Sequence, residues 1–106
     1  MTRELTVGRA DDLSPGEARI VEREGLFLAL YNVEGTFYVT DNTCLHRGGP
    51  LGDGFLEGPI LTCPWHGWQY DVRTGEHQGG PSHRVRTYPV VVEDGELKVR
   101  IDSDSG

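Results

Sequence analysis

An all-β fold is predicted by three observations. Short runs rich in β-branched and aromatic residues recur about every ten positions, Gly, Asp and Asn mark the breaks between them, and no stretch carries a sustained helical period. Leu5-Thr6-Val7 is the first predicted strand and Arg19-Ile20-Val21 the second. Leu26 to Tyr31 is the third, and Glu34-Gly35 joins it to Thr36-Phe37-Tyr38-Val39 as a hairpin. Near the far end, Tyr88 to Val92 and Leu97 to Ile101 flank Asp94-Gly95, a dipeptide suited to the positive φ angles of a tight turn. Tyr31, Phe37, Tyr38 and Tyr88 are read as sheet core or sheet face. Asp12 to Glu17 is expected to make a single helical turn limited by Pro15 and Gly16.

The middle has another texture. From Asn42 to Pro81 glycine stands at 48, 49, 52, 54, 58, 67, 75, 79 and 80, and only Ile60-Leu61-Thr62 and Trp68-Gln69-Tyr70 read as strands. A loop-rich subdomain, about 42–82, is therefore expected between two strand-rich halves of one domain spanning 1–106. Loops with so little apolar content need another organiser.

Composition narrows the function. With 36% hydrophobic and 25% charged residues the chain is a folded, globular one. Its formal charge of −7 speaks against a nucleic-acid binder, since phosphate recognition needs a basic face. The acid is uneven: residues 1–43 hold eight acidic and four basic side chains, 91–106 hold five and two, and 44–90 balance four against four. The longest apolar run is six residues, against roughly 20 for a membrane span, so no membrane partner is expected. Met1-Thr2-Arg3-Glu4 leads into strand-like sequence without a secretory pattern, and the expected location is the cytoplasm. In that reducing compartment the two cysteines are better used on metal than in a disulfide.

Both cysteines sit beside histidines. Cys44-Leu45-His46 and Cys63-Pro64-Trp65-His66 each pair a thiolate with an imidazole inside one short loop, and sixteen residues separate the pairs. Two thiolates and two imidazoles suit a tetrahedral Zn²⁺ or a [2Fe–2S] cluster with two cysteines on one iron and two histidines on the other. Ligand order favours the cluster, since zinc fingers group like ligands together whereas each half-site here mixes them. His77 and His83 have no cysteine neighbour and are read as exposed loop residues outside the ligand set. Trp65 and Trp68 are read either as shielding the site or as core or interface packing, and Arg47 either as meeting a partner's carboxylate or as a plain surface arginine.

The segments Cys44-Leu45-His46-Arg47-Gly48-Gly49-Pro50-Leu51 and Cys63-Pro64-Trp65-His66-Gly67-Trp68-Gln69-Tyr70-Asp71 resemble the two cluster-binding boxes of Rieske iron–sulfur proteins. Gly79-Gly80-Pro81 resembles the proline-containing third loop over the cluster. The resemblance implies an antiparallel β-sandwich with an inserted cluster-binding subdomain, and one [2Fe–2S] cluster on Cys44, His46, Cys63 and His66.

High-potential members of the family carry a disulfide between the cluster loops and a serine two residues after the second histidine. Gly49 and Trp65 stand where those cysteines would be, and Trp68 where the serine would be, while Tyr70 keeps a position that bears a hydroxyl in that type. Losing a donor toward the cluster lowers the potential, so a value of about −150 mV is expected rather than one near +300 mV. Such a carrier suits electron transfer from a flavin-containing ferredoxin reductase to the terminal oxygenase of a multicomponent, ring-hydroxylating dioxygenase system. The chain offers no room for the oxygenase's mononuclear iron domain and no nucleophile triad, and is expected to be a carrier and not an enzyme. The alternatives are a small Rieske-like subunit of an assimilatory nitrite reductase and a zinc-stabilised interaction module.

Overall fold

The computed structural model describes residues 2–43, 49–65 and 67–102, with backbone alone at 2, 80–83 and 102. Twelve strands follow one another among them: β1 (Thr2–Arg9), β2 (Ala18–Arg23), β3 (Leu26–Val33), β4 (Thr36–Asp41), β5 (Phe55–Glu57), β6 (Ile60–Thr62), β7 (Gln69–Asp71), β8 (Glu76–His77), β9 (Gly80–Arg84), β10 (Thr87–Tyr88), β11 (Val90–Glu93) and β12 (Glu96–Asp102). They form three antiparallel sheets in the orders β1-β12-β11, β10-β4-β3-β2 and β5-β6-β7-β8-β9. The all-β reading of the sequence holds.

The first two sheets pack as a sandwich. Alternate side chains of one, Leu5, Val7, Leu97, Val99 and Ile101, meet Val21, Leu28, Leu30, Val39 and Tyr88 of the other. Each such apolar side chain contributes roughly 1.5–3 kcal/mol by leaving water, against the entropy lost on ordering the chain. Two-residue turns close three hairpins. Glu24, Glu34 and Asp94 take φ of 49°, 52° and 53°, followed by Gly25, Gly35 and Gly95 at 81°, 94° and 78°. Two successive positive φ values are the type I′ geometry, whose twist matches that of paired strands. The Glu34-Gly35 and Asp94-Gly95 hairpins are as predicted. The Glu24-Gly25 hairpin, which pairs Arg23 with Leu26, is an addition.

β3 explains why its sequence is apolar without alternation. Leu28 and Leu30 enter the sandwich core, while Ala29 and Tyr31 enter a second core under the five-stranded sheet. A strand covered on both faces reads as a continuous run, and Leu26 to Tyr31 is that run.

Two predictions need correction. Tyr88 to Val92 is not one strand: Pro89, without an N–H, divides it into β10, which pairs with β4, and β11, which pairs with β12. The chain thus changes sheet at a single residue. The expected helical turn over Asp12 to Glu17 is instead a 3₁₀ turn at Ala10–Asp12 and then a tight turn in which Glu17 N–H donates to Ser14 O (3.0 Å). Pro15 before Gly16 at φ 89° is the type II turn pattern, and Gly16 N–H and Glu17 O both bond Asn32, so this backbone has no helical bonds to make. The middle also holds five short strands where two were predicted. The predicted Trp68-Gln69-Tyr70 strand begins one residue later, at Gln69, and Trp68 O accepts from Cys63 N–H at the hairpin's tip.

Candidate metal centre

Leu61 and Tyr70 of the five-stranded sheet, together with Leu51, Cys63, Val72 and Val85 beside it, lie against β3 and bury Ala29 and Tyr31. Two loops leave this core at fixed necks. The first follows β4: Asn42 N–H donates to Phe27 O (3.1 Å), Leu51 N–H to Asn42 O (2.7 Å) and Gly52 N–H to Asn42 Oδ1 (2.7 Å), and Thr43 bridges Pro50. The second is the tip of the β6–β7 hairpin, where Thr62 pairs with Gln69 and Cys63 N–H donates to Trp68 O (2.7 Å).

Of the four predicted ligands the structure describes Cys63, which is 1% exposed. Cys44, His46 and His66, like Arg47, lie outside the described residues. Gly49 shows how close the two loops come. A Cβ built on it would stand 2.8 Å from Cys63 Sγ, closer than real Cβ atoms come, and 3.0 Å from Trp65 Cβ, tighter than most real contacts. The first loop's backbone therefore lies directly on the second loop's cysteine. The positions of Gly49 and Trp65 are also adjacent, where high-potential members of the family would carry their disulfide. A soft thiolate donor at the junction of two clamped loops fits an iron–sulfur group. Among the described residues no three metal-binding side chains converge.

His77 corrects its prediction as an exposed loop residue. It lies in β8, is half-buried, and stacks on Trp68 with ring centroids 4.0 Å apart and planes 21° apart, with Tyr70 tilted beside it at 5.4 Å. Gly79 closes over its ring, since a Cβ there would stand 3.0 Å from Cε1. The stack makes Trp68 a packing residue of the subdomain. Trp65 is 49% exposed and does not bury itself in either core. Of the Gly79-Gly80-Pro81 segment, Gly79 lies in the turn after β8 while Gly80 and Pro81 open β9, and the turn is tied to the strand leaving the Cys63 loop by Gln78 N–H to Gln69 O (2.9 Å). The side chain of His83 is outside the description.

Around this core the polar groups are satisfied locally. Tyr31 OH bonds Thr40 Oγ1 (2.9 Å), which in turn donates to Asp41 O (2.8 Å), and burial pushes the Tyr31 hydroxyl above its ordinary pKa. Asp71 accepts from Arg73 Nε and Nη2 (3.0 and 2.8 Å) and from its N–H. The Arg73 bonds hold its carboxyl below the usual range. This pair stiffens the turn after β7.

Nothing in the sequence marks Asn42, whose side chain accepts from a backbone N–H ten residues ahead. Asn42→Ala is expected to cost roughly 1–3 kcal/mol by leaving the buried Gly52 N–H without its acceptor, read as a lower melting temperature and a less red protein per unit mass.

Comparison with known proteins agrees with this geometry. Residues 3–89 match the Rieske [2Fe–2S] domain. The ferredoxin component of the naphthalene 1,2-dioxygenase system of Pseudomonas putida is 44% identical over 92 residues, 86% of each chain. The Sphingomonas yanoikuyae B1 ferredoxin superposes with a TM-score of 0.87 at 36% identity, covering 94% of this chain and all of that one. A chain in the complex of reduced oxygenase and oxidized ferredoxin of carbazole 1,9a-dioxygenase has a TM-score of 0.84 at 37% identity, with 91% of both chains covered. With two clamped loops meeting at a buried cysteine and a family match over most of its length, the chain belongs to the Rieske family and carries one [2Fe–2S] cluster.

Proposed function

We propose that the protein is a cytoplasmic electron carrier, not itself an enzyme, that accepts electrons from a flavin-containing ferredoxin reductase and passes them to a terminal, ring-hydroxylating oxygenase. Cys44 and Cys63 would hold one iron and His46 and His66 the other, within a subdomain of about 42–82 in a single domain. Bound there, the cluster supplies one-electron oxidation and reduction without bond making in the protein.

The observation that carries this reading is the near full-length similarity to a ferredoxin component of a dioxygenase system. The 37%-identical chain solved together with an oxygenase supports the choice of acceptor. The chain's own residues do three things in this reading. Gly49 lets one loop lie against the other without an intervening side chain. Cys63 keeps its sulfur out of water. Trp68, stacked on His77, offers no hydroxyl where the high-potential type has one.

The test is protein-film voltammetry with iron and acid-labile sulfide analysis of the purified protein. Two irons and two sulfides per chain and a midpoint of about −150 mV are expected. A midpoint above about +100 mV would overturn the oxygenase-linked reading in favour of a quinol-linked partner, and one zinc in place of iron would overturn the electron-carrier reading.

A further inference from the structure

The four acidic residues between 44 and 90 divide into two kinds. Asp71 and Glu76 are ion-paired with Arg73 and Arg84 at 2.8 and 3.4 Å. Asp53 and Glu57 are exposed and have no ion-pair partner among the described residues. They stand two residues to either side of Phe55, which at 73% is the most exposed large apolar side chain among the described residues.

This strip is held in place by backbone. β5 is the outer strand of its sheet, and Phe55 pairs with Thr62, the residue before Cys63. Gly54 lies so close to β6 that a Cβ on it would stand 2.3 Å from Thr62 O. Phe55 therefore keeps its position without packing its ring; it stands across from Thr62, and the exposed Trp65 stands two residues after Cys63. One exposed phenylalanine is ordinary. A strand edge that is unpaired among the described residues and bears one, bracketed by carboxylates with no ion-pair partner among those residues, calls for an occupant.

A second copy of the chain is disfavoured. Antiparallel pairing of two β5 edges about Phe55 would set Asp53 of each copy against Glu57 of the other, and like charges directly opposite destabilise a strand pair. The same carboxylates favour a cationic surface. We propose that Asp53, Phe55 and Glu57 form the docking strip for the terminal oxygenase, which receives Phe55 in an apolar pocket rimmed by arginine or lysine. The inference rests on the oxygenase-linked reading above.

The experiment reduces the cluster-loaded protein with dithionite and mixes it in a stopped-flow instrument with the terminal oxygenase of carbazole 1,9a-dioxygenase. Wild type is compared with Phe55→Ser and with Asp53→Asn/Glu57→Gln, and midpoint potentials and visible spectra are recorded for all three. Phe55→Ser is expected to lower the second-order rate about tenfold or more with an unchanged midpoint, as for a buried aromatic anchor. The double variant is expected to be slower at low salt, to lose most of the salt dependence, and to converge on wild type near 0.5 M salt, where charges are screened within about 4 Å. Rates within twofold of wild type for both variants at low salt would overturn the docking strip while leaving the carrier function standing. A wild-type protein that leaves the oxygenase oxidised would overturn the acceptor assignment, and the strip with it.

Discussion

Cys63→Ala protein is expected to be colourless, with iron below a tenth of the wild-type content, while its far-UV spectrum stays that of a β protein. The substitution removes one of two proposed thiolate ligands, and the remaining donors do not hold a [2Fe–2S] cluster against water. Removing the sulfur itself from a 1%-exposed site costs only about 1 kcal/mol of burial. The loss is therefore chiefly that of the cluster's own binding energy, because a metal centre that exists only in the folded state stabilises that state by its affinity. The sandwich core of Leu5, Val7, Leu28, Leu30, Val99 and their neighbours does not include the loop and keeps its strands. Visible absorbance, iron analysis and circular dichroism on one sample separate these statements. Full iron content with an unchanged red-brown colour would remove Cys63 from the ligand set.

Gly75→Ala is expected to lower the melting temperature by about 10–25 °C, the largest effect of any single methyl group here. Gly75 follows the Asp71 turn at φ 81°, donates its N–H to Asp71 O (2.7 Å) and accepts from Val85 N–H (2.8 Å). A Cβ there would stand 2.2 Å from Val85 O and 3.1 Å from Thr87 Cγ2. Two costs add. A positive φ costs an alanine roughly 1 kcal/mol, and forcing backbone apart in a packed site costs roughly 1–3 kcal/mol more. For a domain of this size each kcal/mol moves the midpoint by about 4–8 °C. Gly25→Ala is the control. It has the same φ of 81° but nothing within 4 Å of its Cβ, so only the first cost applies. Equal shifts in the two variants, followed by circular dichroism during heating, would show that the packing against Val85 adds nothing.

The sequence points to candidate ligands more readily than to the scaffold around them. The Cys-x-His and Cys-x-x-His pairs stand out because soft and borderline ligand types at turn spacing have few other uses, and of the four residues the structure describes Cys63. Strands with β-branched runs and Asp-Gly or Glu-Gly turns were legible because their local preference and their tertiary role agree. Where prediction failed, a long-range partner decided. β5 and β8 have too few residues to show a period, β9 opens on Gly80-Pro81 and reads as a turn, and all three exist because hairpin neighbours pair with them. Tyr88 to Val92 reads as one strand by composition, and only the presence of two separate sheets to join makes Pro89 a boundary. His77 looked like a loop residue since nothing local says that Trp68, nine residues earlier, will supply a ring to stack on. Asn42 was invisible for the same reason.

β3, with one face in each core, has a consequence for the speed of the chemistry. A centre that gains and loses a single electron works fastest when its surroundings need not rearrange to each new charge. A strand with a single packed face can bow away from it, but β3 is gripped by Leu28 and Leu30 on one side and by Ala29 and Tyr31 on the other. Sliding by one residue would send the Tyr31 hydroxyl into the leucine-lined sandwich core and push two leucines into the space that Ala29 and Tyr31 fill. The wall on which Cys63 is mounted is thus stiff by construction, and little of the driving force of electron transfer need be spent on moving it.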